Sequence, residues 1–262
     1  MEFDAAMHNL NSIRGQVAIV TGGTMGIGLA CAERFAAEGA KVAIIGRNAD
    51  NGESALESIK RLSEDAIFLQ GDCTVGSQMQ SAVSAVEEKW GRIDILVNCA
   101  GGFFDSPRID EIDEDGWRKG IEWNLTSQFI TVRLVVPIMK RNGYGRIVNM
   151  SSLAARGGIA HAPLDYSAAK AGVEGFTRRL AIELAPTGIT ANAIAPGTTQ
   201  TPRFDRLRWS PSKMEQAIAR IPVGRFGTVE EVAHGIWYLC TPGAGYVTGA
   251  VLDMNGGAWT GG

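Results

Sequence analysis

Short apolar runs alternate along this chain with longer stretches in which apolar positions recur every three to four residues. The short runs predict strands over Gln16–Val20, Lys41–Ile45, Ala66–Gln70, Ile93–Asn98, Arg146–Met150, Thr190–Ala195 and Ala250–Met254. The longer ones predict helices over Leu29–Glu38, Asn51–Leu62, Ser77–Trp90, Gly116–Arg141 and Tyr166–Ala185. Gly39 ends the first helix, and Pro137 would kink the long one late. Thr228-Val-Glu-Glu231 has the spacing of a capping box and opens a last helix reaching Leu239. Strands that alternate with helices imply a mostly parallel sheet with helices on both faces. No linker, low-complexity tract or repeat interrupts the series. The expected organisation is a polar arm over residues 1–14 and one α/β domain over residues 15–262.

The totals narrow the function classes. A net charge of −3 gives no basic field to draw nucleic acid or an anionic membrane. No apolar run is long enough to span a bilayer, and the first 14 residues lack the apolar core of a secretory signal. Four cysteines without a C-x-x-C, and three scattered histidines, argue against a zinc site or a disulfide framework. Reduced thiols in a cytoplasmic protein are the simplest account. The 33 glycines suit a fold with many tight strand-to-helix turns.

Two stretches carry chemistry. Thr21-Gly-Gly-Thr-Met-Gly-Ile-Gly28 joins the first strand to the first helix. Gly22, Gly26 and Gly28, with Thr24 and Ile27 between them, would let backbone approach a pyrophosphate at a helix N-terminus. The competing reading is a tight turn with no ligand. Tyr166 and Lys170 stand four apart, on one helix face. A lysine ammonium beside a tyrosine favours the phenolate and brings a pKa near ~10 toward neutrality. Such a pair can move a proton; alone, it is as readily a solvated pair on a surface helix.

Thr21–Gly28, Asn98-Cys-Ala-Gly101, Asn124, Ser152, Tyr166-x-x-x-Lys170 and Pro196-Gly197 occur in one order from Gln16 to Gly257. Together they resemble the short-chain dehydrogenase/reductase family. The resemblance implies a doubly wound Rossmann-type sheet of about seven strands, a nicotinamide cofactor and often a homotetramer. It implies Tyr166 as general acid/base and Lys170 as the residue that tunes it and holds the ribose. Ser152 would hydrogen-bond the substrate oxygen, and Asn124 would support a proton-relay water. Asp72 would contact the adenine amine. Asn98 and Gly101 would lie along the cofactor ribose, and Pro196, Gly197 and Thr201 near the nicotinamide carboxamide. Three departures are visible. The second position of the family's N-N-A-G is Cys99 here, Ser152 and Tyr166 are 14 apart, one more than usual, and Asp253-Met-Asn-Gly-Gly257 replaces a D-G-G ending.

Cofactor choice can be read at the second strand. An NAD site puts an acid at the strand end; Gly46-Arg47 stands there instead. The arginine fork suits a 2′-phosphate, so NADP is expected, with NAD left open. The resemblance implies a small carbonyl compound or alcohol as substrate, met by three loops, Gly102–Asp115, Leu153–Asp165 and Gln200–Arg220. Arg203, Arg206, Arg208 and Trp209 either clamp an anionic substrate or form a solvated lid. Arg156, His161, Phe103 and Phe104 are further candidates for the cleft. In motif style the chain stands nearest the 3-oxoacyl-carrier reductases. The alternatives are an NAD-dependent dehydrogenase of a cyclic alcohol or cis-dihydrodiol, and a nucleotide-binding scaffold without turnover.

Overall fold

The computed structural model describes residues 10–103, 108–157, 162–202 and 209–261. Seven strands form one sheet: β1 (Val17–Thr21), β2 (Lys41–Gly46), β3 (Ala66–Gln70), β4 (Ile95–Asn98), β5 (Gly145–Met150), β6 (Ile189–Pro196) and β7 (Val251–Met254). Their order is β3-β2-β1-β4-β5-β6-β7, and every pairing is parallel. The order reverses between β1 and β4, so a crevice opens there at the carboxyl ends of the strands.

The helices are α1 (Gly26–Ala37), α2 (Ala49–Lys60), α3 (Gly76–Trp90), α4 (Glu114–Ile121), α5 (Ser127–Asn142), α6 (Leu164–Leu184), α7 (Pro211–Ile218) and α8 (Val229–Cys240). Alternate strand residues feed two cores. Ala18, Val20, Val42 and Ile44 meet α1, α2 and α8 on one face. Val17, Ile19, Ala43 and Ile45 meet α3, α5 and α6 on the other. Both faces are covered, which is why β1, β2 and β4 read as near-continuous apolar runs. Ile13, from the arm, is itself fully buried in the first core.

The capping box at α8 is present: Glu231 N–H donates to Thr228 Oγ1 at 3.3 Å and Thr228 N–H to Glu231 Oε2 at 2.9 Å. The long helix expected over 116–141 is instead two helices joined by a π-turn, Glu122–Thr126. Asn124 explains the break. Its Nδ2 donates to the Gly120 carbonyl at 3.0 Å, the acceptor a regular α-helix reserves for the Asn124 N–H. α7 was expected to be loop. It starts at Ser210, whose side chain accepts from Lys213 N–H, with Pro211 at the first position. It is eight residues long and buries none of them, too short a stretch to separate from loop by pattern.

Candidate active site

The glycine turn lies at the carboxyl end of β1, beside the reversal point. Gly28 makes this geometry possible, since a Cβ there would collide with the Gly22 carbonyl. The turn also meets two other strand ends. A Cβ on Gly22 would lie 2.9 Å from Ala100, after β4, and one on Gly26 would lie 3.6 Å from Thr201, beyond β6. Ile27 packs against the first core, and Thr24 faces Gly46 at the end of β2. Pro196 ends β6, and the Gly197 N–H that follows donates to Met254 O at 2.9 Å.

Asn124, Lys170 and Tyr166 converge from two helices. A Cβ on Gly101 would lie 2.8 Å from Asn124 Oδ1 and 3.4 Å from Lys170 Nζ, so only glycine fits between them. Asn124 is fully buried and fastened to the loop after β4. It accepts from Gly102 N–H at 2.7 Å and donates to Gly102 O at 3.0 Å. Lys170 is 1% exposed, and its Nζ donates to Met150 O at 2.7 Å, at the end of β5. Gln128 Nε2 donates to the same carbonyl at 3.1 Å and to Asn124 O at 3.0 Å. Burial lowers the Lys170 ammonium from 10.5 to about 7. The Lys170 Nζ sits 5.4 Å from the centre of the half-buried Tyr166 ring. Phe103 meets that ring edge-on at 4.9 Å, forming an apolar wall.

Ser152 follows β5 and opens a 3-10 turn, Leu153–Ala155, accepting from Ala154 N–H at 3.1 Å. That leaves its own hydroxyl proton to give. Ser151, next door, points inward and donates to Glu174 Oε1 at 2.9 Å. Arg156, weighed above for the cleft, is engaged with Glu174 and Asp253. Phe104, His161, Arg203, Arg206 and Arg208 lie outside the described residues. Trp209 stands edge-on to Phe226 at 6.5 Å.

Arg47 and Asp72, expected at the adenine end, stand where β2 and β3 finish. Arg47 Nη1 approaches Asp72 Oδ2 at 3.7 Å, an ion pair longer than a hydrogen bond. Burial alone would raise the Asp72 carboxyl; Thr74 backbone and hydroxyl bonds, with Arg47 nearby, bring it below its ordinary value. Trp123 contributes a ring 5.6 Å from the Arg47 guanidinium. Sequence reasoning assigned Trp123 and Gln128 nothing; their one signal was nearness to Asn124, one residue before and four after.

The residues fit a dinucleotide. The N-terminus of α1 has no side-chain cap, and Asn98 Oδ1 is buried without a hydrogen-bond partner among the described residues. Asn98 Nδ2 is committed to Asn149 Oδ1 at 2.9 Å, so the amide binds the neighbouring strand first. Cys99 beside it has its thiol pushed up to about 12 by burial, so it stays neutral. No metal-holding cluster occurs among the described residues. None of the helices they form is long and apolar enough to cross a membrane.

Fold and site together define a nicotinamide-dependent α/β oxidoreductase. A family model described as Enoyl-(Acyl carrier protein) reductase matches residues 22–258. The chain is 39% identical to a 3-oxoacyl-acyl-carrier-protein reductase of Thermotoga maritima, over 94% of this chain and 98% of the relative. It is 36% identical to a 2-dehydro-3-deoxy-L-rhamnonate dehydrogenase (NAD(+)) of a Sphingomonas strain, over 94% of this chain and 97% of that one. An actinorhodin polyketide ketoreductase variant, solved with NADPH, superposes with a TM-score of 0.88 at 36% identity, covering 93% of this chain and 97% of that one. The chain belongs to the short-chain dehydrogenase/reductase family.

Proposed function

We propose that this protein transfers hydride between NADP(H) and a carbonyl compound or secondary alcohol, with 3-oxoacyl thioesters the first substrates to try. The observation that carries this reading is the meeting of Asn124 and Lys170 at Gly101, with the Tyr166 ring 5.4 Å from Lys170 Nζ, beside the strand that Ser152 follows. The nicotinamide supplies or accepts the hydride when bound. In reduction, negative charge grows on the substrate oxygen. Ser152 Oγ donates a hydrogen bond to it, and Tyr166 delivers a proton through its hydroxyl. The Lys170 cation stabilises the phenolate left behind, and the Met150 carbonyl holds Lys170 in place. Phe103 keeps water from one side of the tyrosine ring. A panel of ketones, 3-oxoacyl thioesters and diols, assayed with both cofactors, tests the reading. Failure to turn over any of them would count against it.

Arg47 is the residue proposed to select NADP. A phosphate–arginine bond is worth about 1.5–3 kcal/mol, so kcat/KM should favour NADPH over NADH by roughly tenfold to a hundredfold. Arg47→Ala should remove most of that ratio. Equal efficiency with the two cofactors in the unmodified protein would reject the assignment. An acid at Gly46 has no ready place, since its Cβ would lie 2.6 Å from Thr24 Cγ2. Conversion to NAD therefore calls for Gly46→Asp together with Thr24→Ala. NAD-dependent oxidation of a cyclic alcohol or cis-dihydrodiol is the second reading. Its NAD half is supported by the contacts that Arg47 already makes with Asp72 and Trp123.

A homotetramer is the proposed assembly. Phe129 on α5 and Ile182 on α6 are 47% and 73% exposed, apolar residues on two helices suited to face other copies. Sedimentation at working concentration should give four copies, and a monomer would reject it.

A further inference from the structure

We propose that Arg156 is a positioning residue that clamps the Ser152 turn to the helix bearing Tyr166 and Lys170, and that the C-terminal segment 253–259 completes the clamp. The proposal rests on the roles given above to Ser152 and Tyr166. Arg156 follows the 3-10 turn, four residues beyond Ser152. Its guanidinium, 16% exposed, meets carboxylates from two different elements. Nη1 donates to Glu174 Oε2 on α6 at 2.9 Å. Nε and Nη2 donate to the two oxygens of Asp253 on β7, at 3.2 and 3.1 Å. That bidentate pairing uses the planar fork in a way no lysine can. Trp259 stacks on the same guanidinium at 4.7 Å.

Glu174 ties the other end. It lies one helical turn beyond Lys170 and is 5% exposed. It accepts from Ser151 Oγ at 2.9 Å, and the same hydroxyl lies 3.3 Å from Lys170 O. The short turn carrying Ser152 is therefore fastened to α6 on both sides, through Ser151 and through Arg156. Arg178 approaches Glu174 at 3.7 Å, so two cations balance two anions. The same C-terminal segment lies against the end of β6, because a Cβ on Gly197 would lie 2.9 Å from Asn255 Cα. Ser152 and Tyr166 sit on separate elements, and the reaction needs both at one oxygen. A rigid link between their supports keeps them there.

Asp253→Asn tests this, because it weakens the bidentate pair and leaves the Arg156–Glu174 pair whole. The expected result is a kcat about tenfold lower, with KM and the cofactor Kd within about twofold. Amide exchange over residues 152–156 should rise alongside. Arg156→Met removes the nearest cation from the buried Glu174 and risks unfolding; Arg156→Lys keeps the charge without the fork and should recover part of kcat. An unchanged kcat, unchanged exchange, or a fall explained wholly by weaker cofactor binding would overturn the clamp. Exchange keeps the two readings apart. If the unmodified protein turns over nothing while exchange still rises in Asp253→Asn, the proposed reaction falls and the clamp stands.

Discussion

Replacing Tyr166 by phenylalanine is expected to lower kcat by about 10²-fold or more while leaving cofactor affinity intact, the scale of a lost general acid/base. The substitution removes one oxygen. The ring stays against Phe103, whose edge-on contact at 4.9 Å involves no hydroxyl. Lys170 keeps its bond to Met150 O, so the cofactor side of the site is not disturbed. Helix α6 is also unaffected, since Tyr166 is only its third residue and half-buried. Steady-state kinetics and cofactor titration on the same preparation decide the matter. Turnover equal to that of the unmodified protein would remove Tyr166 from the proposed mechanism.

Lys170→Met is expected to move activity and stability in opposite directions. Activity should fall sharply, and cofactor binding should weaken, because the cation is proposed both to tune Tyr166 and to hold the ribose. Stability should rise near neutral pH. Lys170 is fully enclosed, and burial takes its ammonium from 10.5 to about 7. Below pH 7 folded and unfolded chains both hold the proton, and the folded chain bears the whole desolvation cost. Between about 7 and 10.5 the unfolded chain binds more protons, so the stability of the unmodified protein rises with pH. The advantage of Lys170→Met is thus largest at and below pH 7 and shrinks toward pH 10.5. At about 1.4 kcal/mol per pH unit, the gain is capped at roughly 5 kcal/mol. Methionine fills similar space, and Met150 O keeps its bond from Gln128. Melting curves between pH 6 and 10 check the sign. A stability difference independent of pH would contradict the burial argument.

A functional group that costs stability where it sits is what a working site predicts, since local rules are broken there for a purpose. Asn124 obeys the same logic. A mid-helix asparagine read from sequence fits a regular helix, yet its amide captures the Gly120 carbonyl and opens a π-turn. The widened turn aims the side chain at Gly102.

The chain's local spacing was enough to determine the seven strands, the glycine turn, the capping box at Thr228 and the shared face of Tyr166 and Lys170. These depend on short apolar runs, on a period of about 3.6 residues and on turn chemistry between near neighbours, which any stretch of sequence displays. Other features depend on which residues the fold carries together from far apart. Arg156 was a candidate for the cleft by its place in a loop. Tertiary structure turned it toward Asp253, 97 residues away, because a half-buried guanidinium must find carboxylates. Arg47 reads as a free fork at a strand end, and only the arrival of β3 and of Trp123 showed which groups it meets first. The seat of Lys170 on Met150 and the closeness of Gly101 to Lys170 and Asn124 are likewise contacts made at the carboxyl ends of the strands. Their energies come from burial and geometry that no window of sequence contains.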